Sequence, residues 1–191
     1  MTDTRDTTPL VLGTEKIGKL LMQYAIPAII AMTASSLYNM VDSIFIGHGV
    51  GPLAIAGLAI TFPFMNLAAA FGSLVGVGAS TLVAIKLGQK DKESATHVLG
   101  NVVMLNGIIG LVFMTVALLF LDPILLFFGA SPDTLPYARE YMQVILAGNL
   151  VTHIYMGLNE VLRASGYPQK AMAATLTAVI VNCGLDALFI M

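Results

Sequence analysis

Five apolar runs, each long enough to cross a bilayer as a helix, constrain this chain more than any other feature. They cover about residues 17–46, 53–87, 96–121, 135–162 and 168–191, and a spanning helix needs about 20 mostly apolar residues. Continuous runs of this length do not show the ten-residue alternation of a membrane β-barrel, and in lipid a helix satisfies its own backbone hydrogen bonds. The expected fold class is an all-α membrane protein, a polytopic helical bundle of about five transmembrane helices. Composition agrees: 57% of residues are hydrophobic and 10% charged, which no water-facing surface tolerates. The net charge of −2 and the lack of any basic tract give nucleic acid no electrostatic footprint. Cys183 is the only cysteine, so an intrachain disulfide and a cysteine-based metal cluster are excluded; it reads as a small buried hydrophobe. Residues 1–16 form a polar tail, and the apolar run after it is too long for the core of a signal peptide.

Charge sets the orientation. Arg5, Lys16 and Lys19 precede the first run, Lys86, Lys90 and Lys92 follow the second, and Arg163 and Lys170 flank the turn after the fourth, which places eight of nine basic residues on one side. The opposite loops, "GHGVGP" and "DPILLFFGASPD", carry none, and Arg139 is the exception. By the positive-inside rule the N-terminus is cytoplasmic and the fifth helix runs outward. That helix stops at Met191 within an apolar run, which reads as truncation.

Asp42 in "SSLYNMVDSIFIG" and Asp186 in "NCGLDALFI" are the carboxylates deep in these runs, and an ionisable group at that depth is a functional candidate because hydrocarbon makes it expensive. From Lys19 to Asp42 is 23 residues, and from Lys170 to Asp186 is 16, roughly 34 and 24 Å of helix at 1.5 Å per residue. Both acids fall in the outer half of the membrane. Tyr38 stands one helical turn before Asp42 and Asn182 one turn before Asp186, so each acid shares its face with a phenol or an amide. Two such acids form a site suited to taking up a proton or holding a small cation. Pro27 bends the first helix by removing a backbone hydrogen bond.

Other residues carry weaker signals. Glu160 lies three residues before Arg163, which favours a structural ion pair, while Asn159 is placed to hydrogen-bond between helices. His48 and His97 sit at run ends and read as solvated; His153 is deeper and reads as a packing residue. "GTEKIGKL" imitates a phosphate loop but has Leu20 where magnesium needs a hydroxyl, and no strand precedes it, so no ATP coupling is expected. Gly72 and Gly76 allow close helix contact. The 11 Met and six Tyr suit packing first and a cavity for lipophilic cations second.

Several spaced stretches together carry a resemblance: "QYAIPAII", "LYNMVDSIFIGHGVGPLAIAGLAITFP", "GVGASTLVAIKLGQKD", "RASGYPQKAM" and "VNCGLDALFI". From about residue 12 to 191 the chain resembles the amino-terminal lobe of multidrug and toxic compound extrusion (MATE) transporters. The resemblance implies five helices of a twelve-helix, two-lobed antiporter that exports organic cations, drugs and other xenobiotics across the cell (inner) plasma membrane. It implies proton or sodium coupling at Asp42, Asn182 and Asp186, helix bending at Pro27, and a cavity to which Tyr38, Tyr141 and Asn159 are candidate contributors. The implied partners are small lipophilic or cationic substrates, the lipid bilayer and a C-terminal lobe, with no cofactor, no ATP, no nucleic acid and no enzymatic activity; Na+ is the one metal ion considered. Because alternating access needs two bodies rocking about a site, these residues alone are not expected to transport.

Two other readings remain at this stage. A lipid-linked oligosaccharide flippase calls for cationic residues in its cavity, and the runs contain no deep Lys or Arg. A small self-assembling scaffold predicts loss of assembly when Gly72 and Gly76 are enlarged.

Overall fold

The structure is a computed structural model that describes residues 15–190, with side chains as far as Gly184. The tail with Arg5 and the side chain of Asp186 lie outside the described residues. Five long helices and one short one follow in chain order: α1 Ile17–Gly49, α2 Pro52–Gly88, α3 Lys92–Leu119, α4 Leu121–Phe127, α5 Leu135–Ala164 and α6 Pro168–Ile190. Among the described residues there is no strand. Helices α1, α2 and α3 are long and apolar enough to cross a membrane. Helix α5 has the length as well, and its Asn149, His153 and Asn159 are buried against neighbouring helices, where polar side chains are sheltered from lipid.

The turns explain where each helix stops. Between α1 and α2, Gly51 takes φ +117°, a conformation that only glycine adopts without strain, and Pro52 starts α2 at a position where its missing N–H costs nothing. Between α2 and α3, Lys90 adopts φ 62° while Asp91 N–H donates back to Lys86 O at 2.9 Å, a Schellman closure with lysine where glycine is usual. Asp91 then caps α3 by accepting from Ser94 N–H at 3.0 Å. The turn from α5 to α6 closes similarly: Gly166 takes φ +92° and Tyr167 N–H donates to Leu162 O at 3.3 Å.

The stretch "DPILLFFGASPD", expected as an outer loop, begins instead with the last residues of α4. Seven residues are too few to announce a helix by periodicity, and its stability is tertiary. Leu121 and Leu125 are buried in a cluster with Phe64, Ala117, Ala138, Met142 and Leu146, and Asp122 pairs with Arg139 at 3.3 Å across to α5.

Helices α2, α3 and α5 pack tightly on one another, and α1 packs mainly on α6. Toward the C-terminal end of α2, Ala79, Val83, Val102 and Val161 form a second apolar cluster. A layer of small and polar residues separates the two clusters: Gly72, Gly76, Asn106, Gly110, Asn149, His153 and Gly157 are all buried. A Cβ on Gly76 would lie 2.7 Å from Gly157 Cα, and one on Gly157 would collide with the Asn106 amide. The backbones of α2 and α5 therefore touch here, and the Asn106 side chain of α3 closes on the same spot. Gly72 and Gly76 are spent on this internal contact, which removes the surface on which the self-assembling scaffold reading rested.

Candidate functional site

Helix α1 brings Tyr38 and Asp42, both half-buried, and neither stands free of partners. Helix α6 brings Asn182, whose side chain is exposed, and the backbone position of Asp186. Near their N-terminal ends the two helices share a cavity, which Lys19, Ile26, Pro27 and Ile30 of α1 line with Gln169 and Met172 of α6. Pro27 is buried, and α1 runs through it as one helix.

Helix α5 packs on α6. Tyr141 is half-buried and also partnered. Asn159 is buried and donates through Nδ2 to Ala171 O on α6 at 3.2 Å and to Tyr155 Oη at 3.5 Å, while its Oδ1 accepts from Arg163 Nη2 at 3.1 Å. The expected interhelical role of Asn159 is thus present in the geometry. Tyr155, one turn earlier, shares a hydrogen bond with Thr175 of α6 at 2.9 Å. The sequence reading passed over Tyr155, although its spacing of four from Asn159 was the available signal. Glu160 and Arg163 form the expected ion pair at 3.7 Å.

Two expectations are corrected. Cys183 is half-buried rather than buried. His153 is buried, at 1% exposure, but is not fully satisfied: Nδ1 meets Asn149 O at 2.9 Å, whereas Nε2 has no partner. His48 and His97 are exposed as expected. At the start of α1 Lys19, the lysine of the false phosphate loop, is paired with Glu15 at 2.9 Å. Hydrogen bonds from Ser94, helped by Lys86, hold the Asp91 carboxyl below the usual carboxylate range. No group of three or more His, Cys, Asp or Glu is arranged to hold a metal among the described residues.

The fold defines a multi-pass helical membrane protein with a polar stripe between a helix pair and a three-helix body. Comparison with known proteins makes this specific. The chain belongs to the MatE family, whose model matches residues 27–188. It is 29% identical to the multidrug export protein MepA of Staphylococcus haemolyticus over 91% of this chain and 38% of that protein, and 29% identical to MepA of Staphylococcus aureus over 91% and 39%. The chain thus spans about two fifths of the length of these curated relatives. Among solved structures, an outward-facing multidrug resistance MATE family transporter of the MOP superfamily superposes with TM-score 0.88 at 30% identity, over 98% of this chain and 41% of that one. The MATE multidrug transporter DinF-BH, solved in complex with a ligand, gives TM-score 0.86 at 34% identity over 93% and 40%.

Proposed function

We propose that this chain forms the amino-terminal lobe of a secondary antiporter that exports organic cations, drugs and other lipophilic xenobiotics across the cell (inner) plasma membrane, driven by inward flow of protons or sodium ions. The N-terminus is cytoplasmic in this reading, and Asp42, Asn182 and Asp186 carry the coupling ion. The observation that carries it is the packing of α1 on α6, the two helices that hold Asp42, Asn182 and Asp186. A carboxylate there binds a cation or proton when exposed to the outer solution and loses it when exposed to the cytoplasm. Tyr38, Tyr141 and Asn159 are the candidate contributors to the substrate cavity of the complete protein. Pro27, whose missing N–H leaves α1 one hydrogen bond short, is where that helix bends as the site changes occupancy. A second lobe completes the substrate path, because rocking about a site needs two bodies. The multidrug names of the relatives and the ligand complex of one neighbouring multidrug transporter support the substrate class.

The test is gradient-driven substrate movement by the full-length protein in proteoliposomes. An imposed proton or sodium gradient drives transport in the parent, and Asp42→Asn or Asp186→Asn abolishes it. Undiminished gradient-driven transport in both variants overturns the assignment.

A further inference from the structure

We infer that His153 and Met156 form a binding site for a soft monovalent metal cation, Cu(I) or Ag(I), separate from the Asp42 region. The imidazole is fixed in one tautomer. Its Nδ1 lies 2.9 Å from the carbonyl oxygen of Asn149, which only accepts, so Nδ1 carries the hydrogen and Nε2 presents a bare lone pair. That nitrogen is buried without a partner, in a ring that is 1% exposed. Donation of one ring N–H to a backbone carbonyl is how proteins orient a histidine whose other nitrogen ligates a metal.

A second ligand stands beside it. Met156 follows three residues later on α5, a spacing that puts both side chains on one helix face. Both press on the same spot of α2: the place a Cβ would take on Gly72 is 3.2 Å from Met156 Sδ and 3.3 Å from His153 Cδ2. Glycine at position 72 leaves this spot free. The two side chains also line a cavity of about 160 Å³ between α2 and α5, with Asn149, Thr152 and two further thioethers, Met65 and Met142, so an ion has room to arrive.

The donor set selects the ion. A thioether and a neutral imidazole are soft, uncharged ligands, and thioethers favour Cu(I) over hard cations. No carboxylate, thiolate or other charged side chain lines the cavity. A divalent ion would bring two uncompensated charges into a medium of low polarity, where even one is costly. One positive charge on two ligands is the arrangement these residues can hold.

Silver(I) is the air-stable probe. The detergent-purified full-length protein carrying Cys183→Ser, which removes the one thiol of this chain, is titrated with silver nitrate in chloride-free buffer. Parent and Met156→Leu, a swap that conserves volume, are compared for binding and for thermal stabilisation by the ion. We expect one equivalent to bind in the parent with affinity about tenfold or more above the variant, the loss typical even of outer-shell partners. In ¹⁵N-histidine spectra, silver moves the Nε2 resonance assigned to His153 and leaves its Nδ1 nearly in place. Equal silver binding by parent and variant, no binding by the parent, or an unmoved His153 Nε2 overturns the inference. His153→Gln, checked for native helicity, must lose the same equivalent; its retention there is equally fatal.

Discussion

Adding one methyl group at Gly76 tests the close contact of α2 with α5 directly. The new Cβ would sit 2.7 Å from Gly157 Cα, 3.0 Å from Gly157 O and 3.2 Å from Glu160 Cβ. Carbon atoms prefer about 3.5–4.0 Å, so α2 and α5 must separate by roughly 1 Å, and a gap of that size forfeits about a quarter to a half of each contact across it. The nearest obstacles are backbone atoms, which cannot rotate aside. Overpacking of this kind costs about 1–3 kcal/mol, and for a chain of this size each kcal/mol moves the midpoint by about 2–4 °C. Gly76→Ala should therefore lower the melting temperature of the detergent-purified protein by about 2–12 °C. Gly78→Ala is the control two residues away, where an added Cβ meets nothing within 4 Å; it should melt within about 2 °C of the parent, as surface changes usually do. A Gly76→Ala protein as stable as the parent, or an equal loss at Gly78, would refute the packing argument.

Gly72→Ala should cost less than Gly76→Ala in the same melting assay, because its closest neighbour is the mobile end of Met156. Replacing Lys90 by Gly should raise the melting temperature, since a left-handed residue other than glycine costs about 1–2 kcal/mol and Lys90 holds φ 62°; an unchanged midpoint counts against the strain. Asn159→Leu removes the bonds to Ala171 and Tyr155, each worth about 0.6 kcal/mol in a membrane interior, and should lower the midpoint by a few degrees while shortening the protection of α6 amides in hydrogen exchange. Asp91→Asn should destabilise the protein at neutral pH only. The folded carboxyl is held below its ordinary value of 3.8, so its contribution is present above that value and is lost as pH falls through the lowered one; melting curves of parent and variant should converge in acid.

The long helices were legible because hydrocarbon imposes one solution on an apolar run, and the turns carry Gly, Pro and Asp where backbone chemistry needs them. Helix α4 was not legible: "LDPILLF" is seven residues long, about two turns, and only the burial of Leu121 and Leu125 makes it a helix. The site was legible in part. Asp42 stands out in a run because its cost there is large, and Glu160 with Arg163 follows a helical spacing. Tyr155 shows no such anomaly, since an aromatic in a membrane helix is ordinary until its hydroxyl finds Thr175. Gly157 likewise gains meaning only from Gly76 and Asn106 lying against it, neighbours separated in sequence and joined by the fold. The packing of α1 on α6, the helix of Asn182 and Asp186, is a tertiary contact that no single run contains.

The lobe has unequal mechanical compliance. Where α2 meets α5, glycine backbones touch, and parting them would open a void with nothing to fill it. Where α5 meets α6, the contacts that bind them are amide and hydroxyl hydrogen bonds through Tyr155, Asn159, Ala171 and Thr175, and water can replace such bonds one at a time at little enthalpic loss. The seam between α5 and α6 is therefore the more yielding of the two, and the glycine contact of α2 with α5 the stiffer.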